Sequence, residues 1–343
     1  MFPTNTDVKV HHQLLMKDVK RGLISIKEAN IALSIKEENN MNTDEKYEAV
    51  IKAMDDYTYQ WHPENALDPS KPILKITKSS LGSFKWCANK YKFSYIERLP
   101  QDQTEAMRKG TIVHNAREDF FNDFDISKAE NMSSGEILEY CNSLFPVDDY
   151  MDMYMTIASF EAQRFIDARD EGKLDEFIPI INEECFDCEI VIPHDLHPDF
   201  NLARDYKVHL QGIIDRVFIE GNNLIPMELK TGLWKESSYK YTGMRKEMAF
   251  YEILINNSTQ EVREKFGLTE DMKVTHWGWY YPASNFIHVE PLKKVTIKSV
   301  MKNIAELIKA YEDNLFLPKY WAKTCAHCSY FGICEAATED TWG

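Results

Sequence analysis

The spacing of apolar side chains changes between two periods along this chain. Leu81, Phe84, Cys87, Tyr91 and Tyr95 recur every three or four residues, which predicts a helix ending near Tyr95, with Ser79 or Ser80 as its cap. The same period predicts helices over residues 101–124, 134–144, 150–171, 238–256 and 295–312. Runs rich in β-branched and aromatic residues predict strands over 178–192, 208–219, 224–230, 273–281 and 286–291. Glu220-Gly221-Asn222-Asn223 reads as the turn joining the second of these to the third. Helices interleaved with strands indicate the α/β class. Ahead of them, residues 12–40 read as a helical hairpin, with Ser25 as a possible cap, and 41–57 as a further helix. Residues 1–70 are therefore expected to form a helical arm, of oligomerising or partner-binding character, before one large domain over 71–343.

Side chains alternate along a strand, so Glu228 and Lys230 share a face that Leu229 does not. The strand before the turn can bring Asp215 to that same face. Two carboxylates and an ammonium would then converge. Paired carboxylates suit a hard divalent cation such as Mg²⁺. Such a cation can activate water and stabilise charge on a phosphoryl oxygen, while a lysine beside it orients the water or balances that charge. The plainer alternative is a polar strand pair facing solvent, since Asp…Glu-x-Lys is a short pattern.

Composition alters this picture in two places. The net charge of -15 looks unsuited to a polyanionic partner, yet it is segregated. Residues 118–176 carry 16 acidic side chains against 4 basic, which reads as an inserted, solvated helical segment. Residues 71–98 carry 7 basic against 1 acidic, and residues 230–246 carry 5 against 1, so the candidate chemistry is flanked by positive charge. Lys85, Lys90 and Lys92 lie among aromatics, a mix that suits phosphate contact with base stacking and equally suits a packed helix with a wet side. No run of about 18 apolar residues occurs, and the first residues lack a signal-peptide pattern. An intracellular, cytoplasmic protein is expected, whose 7 cysteines are thiols or metal ligands before they are disulfides. Cys185-Phe186-Asp187-Cys188 sits on a predicted strand. Residues three apart there face opposite ways, so these are read as core and rim cysteines.

The C-terminal Cys325, Cys328 and Cys334 form Cys-x₂-Cys-x₅-Cys. Three thiolates need a fourth ligand to complete a tetrahedral zinc site or a cubane cluster, and Cys87 is the candidate. From spacing alone zinc and iron–sulfur compete, and His327 could serve zinc.

Taken together, Gly212-Ile213-Ile214-Asp215-Arg216, Glu228-Leu229-Lys230-Thr231-Gly232 and Glu247-Met248-Ala249-Phe250-Tyr251 resemble the RecB-type branch of the PD-(D/E)xK nucleases. Gly110-Thr111-Ile112-Val113-His114 resembles its histidine motif, and Leu317-Pro318-Lys319-Tyr320-Trp321 with the cysteines resembles its iron–sulfur subgroup, which includes CRISPR-associated nucleases and the AddB nuclease domain. The resemblance spans about 71–335. It departs from the family pattern at Glu247, where glutamine is usual, and at Ala88 and Ser329, where prolines are usual.

The resemblance implies a restriction-endonuclease-like core, a central mixed sheet flanked by helices, with an iron–sulfur staple over 316–335. It implies Asp215, Glu228 and Lys230 as catalytic residues. His114, Asp215, Glu228 and the Leu229 carbonyl would hold Mg²⁺ or Mn²⁺, with Glu247 and Tyr251 supporting substrate or lysine. Cys87, Cys325, Cys328 and Cys334 would hold a 4Fe–4S cluster, with Zn²⁺ as the alternative. Lys85, Lys90, Lys92, Arg245 and Lys246 are candidate DNA contacts. The implied activity is a metal-dependent exonuclease on single-stranded DNA or DNA ends, in recombination, repair, CRISPR adaptation or phage DNA processing, with a protein partner from such a system. A catalytically weak binding module, or a zinc-stapled scaffold in a replication complex, are the other readings.

Overall fold

The structure is a computed structural model and describes residues 61–68, 70–99, 105–198, 201–319 and 325–334. The helices expected over 12–40 and 41–57 lie outside the described residues. In chain order the main elements begin with strand β1 (Lys75–Thr77) and helices α1 (Lys78–Trp86), α2 (Glu105–Asp123), α3 (Ser134–Ser143) and α4 (Met151–Asp170). Strands β2 (Ile181–Ile192), β3 (Tyr206–Glu220) and β4 (Asn223–Leu229) follow, then helices α5 (Ser238–Asn256) and α6 (Gln260–Lys265). Strands β5 (Lys273–Val274), β6 (His276–Tyr281) and β7 (Phe286–Pro291) precede the last helix, α7 (Lys294–Glu312). The chain divides into two units, one of Met1–Asp102, Cys185–Ile213 and Ile297–Gly343, the other of Gln103–Glu184 and Ile214–Thr296.

In the first unit β1 runs parallel to the early part of β3, with Lys75 opposite His209 and Thr77 opposite Gln211. The cap of α1 is Thr77 rather than Ser79 or Ser80. Its hydroxyl accepts the Ser80 N–H at 3.1 Å, and the Ser80 hydroxyl accepts the Thr77 N–H at 2.9 Å. The helix also stops earlier than its apolar period predicts. Cys87 takes extended backbone, after which the chain makes one α turn over Ala88–Tyr91 and a π turn over Lys92–Ile96.

In the second unit the late part of β3 turns through Gly221, at φ 58°, into antiparallel β4. Strand β4 runs parallel to β5 and β6, and β6 runs antiparallel to β7, so the sheet is mixed. Paired positions share a face. Phe218, Ile225, Met227, Leu229 and Tyr280 lie in one core with Val113, Phe120 and Phe121 of α2, Ile137 of α3, and Ile157 and Phe165 of α4. The opposite face carries Asp215 and Glu228 and meets α5.

The helices of the acidic 118–176 stretch also contribute to this core. They bury apolar stripes against the sheet and turn most of their carboxylates outward. Glu118 and Glu161 are the exceptions, and Glu161 is the deeper of the two. It is fully buried, accepts Arg117 Nη2 at 2.6 Å, and pairs with Arg164.

Gly278 of β6 marks a close approach of two strands. A Cβ there would lie 2.9 Å from the His288 carbonyl and 3.0 Å from Val289 Cγ2. The obstacle is backbone and cannot swing away. Gly278→Ala should therefore cost about 1–3 kcal/mol, read as a lower denaturation midpoint with the slope unchanged. A midpoint equal to wild type would show that the sheet yields there.

Candidate functional site

The β3–β4 register builds the site. Arg216 pairs with Met227, so the next step along the ladder sets Asp215 opposite Glu228 on the face that meets α5. Two carboxylates directly across an antiparallel pair repel, and each is tied down by donors. Asp215 Oδ2 accepts the Leu229 N–H at 3.0 Å, and Oδ1 accepts the Tyr251 hydroxyl at 3.2 Å. Glu228 Oε1 accepts Lys230 Nζ at 2.7 Å. The Tyr251 hydroxyl, from α5, also feels the Glu228 carboxylate. Burial holds its pKa far above that of an ordinary phenol, with the Asp215 and Glu228 charges adding to the effect, so it stays a donor.

Lys230 closes this side. Its ammonium lies 2.7 Å from both Glu228 Oε1 and Glu247 Oε2. Burial opposes its charge, but the two carboxylates outweigh that effect and hold its pKa well above the ordinary lysine value. Lys230 is thus a fixed cation that can donate but not take a proton.

On the other side His114, from α2, reaches Asp215 and a residue the sequence patterns did not single out, Glu183 of β2. His114 Nδ1 lies 2.9 Å from Glu183 Oε1 and 3.5 Å from Asp215 Oδ2, while Nε2 lies 3.1 Å from the Leu229 carbonyl. Both ring nitrogens thus face acceptors, the arrangement of an imidazolium. Burial works against that charge, and Asp215 and Glu183 overcome it, raising the pKa. Glu183 holds a φ of 52° inside a strand, a conformation that costs a non-glycine residue and gathers at functional sites. Burial, then the Asp215 charge, raises its own pKa. Beneath it Arg216 is fully buried, with Nη1 3.6 Å from Glu183 Oε1 and its guanidinium over the Phe121 ring. Burial and then Arg117 pull the Arg216 pKa down to about 10, which leaves it charged at neutral pH.

One ligand atom from each of His114, Glu183 and Asp215 lies within 4.8 Å of the others, the single such group among the described residues. Two carboxylates, a nearby backbone carbonyl and one imidazole make an oxygen-rich donor set, which fits Mg²⁺ or Mn²⁺. Ligation through His114 requires one of its ring protons to leave. Glu228, expected among the ligands, is instead engaged with Lys230.

Against family models, the chain matches the PD-(D/E)XK nuclease superfamily over residues 75–335. The chain belongs to this superfamily. No curated protein matches it. A solved structure described as "Crystal structure of SSO0001" is similar at 11% identity, over 67% of this chain and 97% of that one, with a TM-score of 0.26. Glu228-Leu229-Lys230 reads as the (D/E)XK of the superfamily name, with Asp215 as the acid before it. Glu183 carried little signal of its own, being one of four carboxylates on β2 with Glu184, Asp187 and Glu189.

The remaining expected residues lie as follows. Lys85 pairs with Glu306, and Lys92 pairs with Glu97 at 2.9 Å. Lys90 sits over the Trp86 ring. Arg245 is clamped by both oxygens of Glu290, and Lys246 is half-buried on α5. In the first unit Cys87 comes close to the C-terminal cysteines. Burial raises the Cys328 pKa, and Cys87 and Cys334 are near enough to add to it. Asn89 Nδ2 donates to Cys334 Sγ at 3.3 Å, and Cys325 Sγ lies 3.8 Å from the Lys319 carbonyl. Among the described residues no three of these sulfurs lie within 4.8 Å of one another. A closed tetrahedral zinc sphere, with bonds of about 2.3 Å, needs sulfurs about 3.8 Å apart. Of the Cys-x-x-Cys pair, Cys188 is buried, which pushes its thiol up to about 12, and Cys185 is half-exposed.

Glu290 of β7 fixes α5, and with it Glu247 and Tyr251. Besides Arg245 it accepts the Trp277 indole N–H at 3.1 Å. The bonds from Arg245 hold its carboxyl down at about 2, although burial works the other way. A lowered pKa contributes stability that is complete above the ordinary value of 4.5 and is lost as pH falls towards 2. Glu290→Gln should cost on the order of 1 kcal/mol at neutral pH, with allowance for solvent screening. It should also flatten the fall in melting temperature across that acid window. Parallel wild-type and variant curves would contradict the latch.

Proposed function

We propose that this protein is a metal-dependent deoxyribonuclease, an exonuclease acting on single-stranded DNA or DNA ends. The observation that carries the reading is the gathering of His114, Glu183 and Asp215 around one point, with the charged Lys230 across the same pair of strands. His114, Glu183, Asp215 and the Leu229 carbonyl would hold Mg²⁺ or Mn²⁺. A cation so held supplies a nucleophilic water at neutral pH and stabilises charge on the phosphoryl oxygens.

The chain's own residues do the rest. Lys230 cannot serve as a base. It donates hydrogen bonds, which suits it to orient the attacking water and to offset charge as the phosphodiester is displaced in line. Glu228 fixes that ammonium and Tyr251 fixes Asp215. Glu247, standing where the family usually has glutamine, shares the ammonium with Glu228 and leaves this trio with one excess negative charge. The amide of a glutamine would leave more of Lys230 for a phosphate.

The test is degradation of end-labelled single- and double-stranded DNA with Mg²⁺ or Mn²⁺. Lys230→Ala and Asp215→Asn should each lower kcat by about 10²–10³-fold, the scale of a lost transition-state donor, and EDTA should abolish activity. The asparagine is chosen because its oxygen can still accept the Leu229 N–H while its NH₂ donates to the Tyr251 oxygen. Equal residual cleavage in wild type and both variants would mean that the activity belongs elsewhere.

The proposal extends to a 4Fe–4S cluster on Cys87, Cys325, Cys328 and Cys334, with zinc as the alternative. It is supported by the spacing of the C-terminal three and by the nearness of Cys87, Cys328 and Cys334. Such a cluster would join chain segments 238 residues apart (325 minus 87) and so restrict the unfolded chain. Protein purified without oxygen should carry about four irons with matching labile sulfide. Cys334→Ser should lose iron and melt lower. Stoichiometric zinc without iron would overturn the cluster.

A further inference from the structure

Beyond Lys230 the chain leaves the sheet in a loop, residues 231–237, that is anchored along its length. The Trp234 N–H donates to Ser284 Oγ at 2.9 Å, and its indole stacks on Phe286 with centroids 4.2 Å apart and planes 8° from parallel. Lys240 Nζ sits 4.6 Å from the Trp234 ring centroid and 4.3 Å from that of Tyr281, and donates to the Leu233 carbonyl at 3.2 Å. Ser237 caps α5 by accepting the Lys240 N–H. The segment is held by stacking, a cap and a lysine clamp.

This anchored segment nevertheless keeps two large side chains in solvent. Tyr239 is 86% exposed and Leu233 64% exposed. They stand in the most basic stretch of this unit, 5 cations to 1 anion over residues 230–246. Lys235 is exposed there, and burial, with the Lys235 and Lys230 charges adding to it, lowers the pKa of Lys240. Leu233 is three residues past Lys230, so it lies within about 11 Å of it along the chain.

Cations near an exposed aromatic match one kind of partner well. A single strand offers an unpaired base face for the ring and phosphates for the lysines. A duplex hides its base faces in the stack and would leave Tyr239 and Leu233 without a role. A protein surface able to cover the apolar pair would have to be strongly acidic as well. We propose that residues 231–240 form a single-strand grip, in which Tyr239 and Leu233 take unpaired bases and Lys235 takes a phosphate of the strand being cut at Lys230. This rests on the nuclease reading above and adds the residues that select unpaired substrate.

The test uses the whole protein in EDTA, so that no strand is cut, with an oligo(dT) single strand carrying one 2-aminopurine and a blunt duplex of the same length. Wild type should quench the 2-aminopurine on binding. Tyr239→Ala should lose the quench and bind the single strand about 5- to 100-fold more weakly, the span of one lost base stack, while Tyr239→Phe regains both. Tyr239 is exposed, so folding is not at risk, and a melting curve checks it. Wild-type binding by Tyr239→Ala, or equal loss on single strand and duplex, would overturn the grip. Cleavage by wild type and Lys230→Ala in Mg²⁺ reads the nuclease assignment separately, so either can fail while the other stands.

Discussion

Asp215 and Glu228 are the next residues beyond the last pair of the β3–β4 ladder, Arg216 opposite Met227, and the site depends on keeping these two carboxylates on one face. Left alone, two anions in those positions would favour slipping the register or protonating one of them. The protein instead surrounds them with donors from every side. A backbone N–H of β4 and a phenol of α5 fix Asp215, and an ammonium fixes Glu228. What remains is a concentration of negative charge beside His114 and Glu183, and that is where a divalent cation has most to gain.

That arrangement needs rigid support on both faces of the sheet. Behind it, α2, α3 and α4 pack apolar stripes against Phe218, Met227 and Leu229. The same side buries Arg216, one residue from Asp215, so positive charge lies beneath Glu183 without reaching solvent. In front, α5 is held by the Arg245–Glu290 clamp, which keeps Tyr251 and Glu247 at their partners. Lys230, fixed between two carboxylates, is an electrostatic element of the site and no proton acceptor.

Much of this was legible in the chain. Helix α5 and strand β7 have the limits their periods predict, and β3 and β4 differ from prediction by one or two residues at their ends, because hydrophobic period and turn chemistry agree there. Alternation alone put Glu228 and Lys230 on one face and allowed Asp215 to join them. Glu183 was hidden because its place depends on one residue flipping to positive φ, which no side-chain pattern encodes. The break at Cys87 was hidden for a related reason, since the apolar positions continue through it. In the acidic segment charge counts do not distinguish a solvated helix from one whose other face is core. The lysines of residues 85–92 likewise looked available because their partners, Glu306 and Glu97 among them, depend on the fold or on local turn geometry.

The central claim is that Glu183 and Asp215, with His114, make one divalent-cation site. Mn²⁺ titration followed by electron paramagnetic resonance tests it without requiring turnover. Wild type should bind Mn²⁺ at a site from which Mg²⁺ displaces it. Glu183→Gln and Asp215→Asn should each weaken that binding by at least about tenfold, with folding intact, the scale seen when a metal site loses a supporting group. Mn²⁺ binding unchanged in both variants would contradict the account, because the ion would then be held by other residues and the convergence of His114, Glu183 and Asp215 would be an ion-pair network alone.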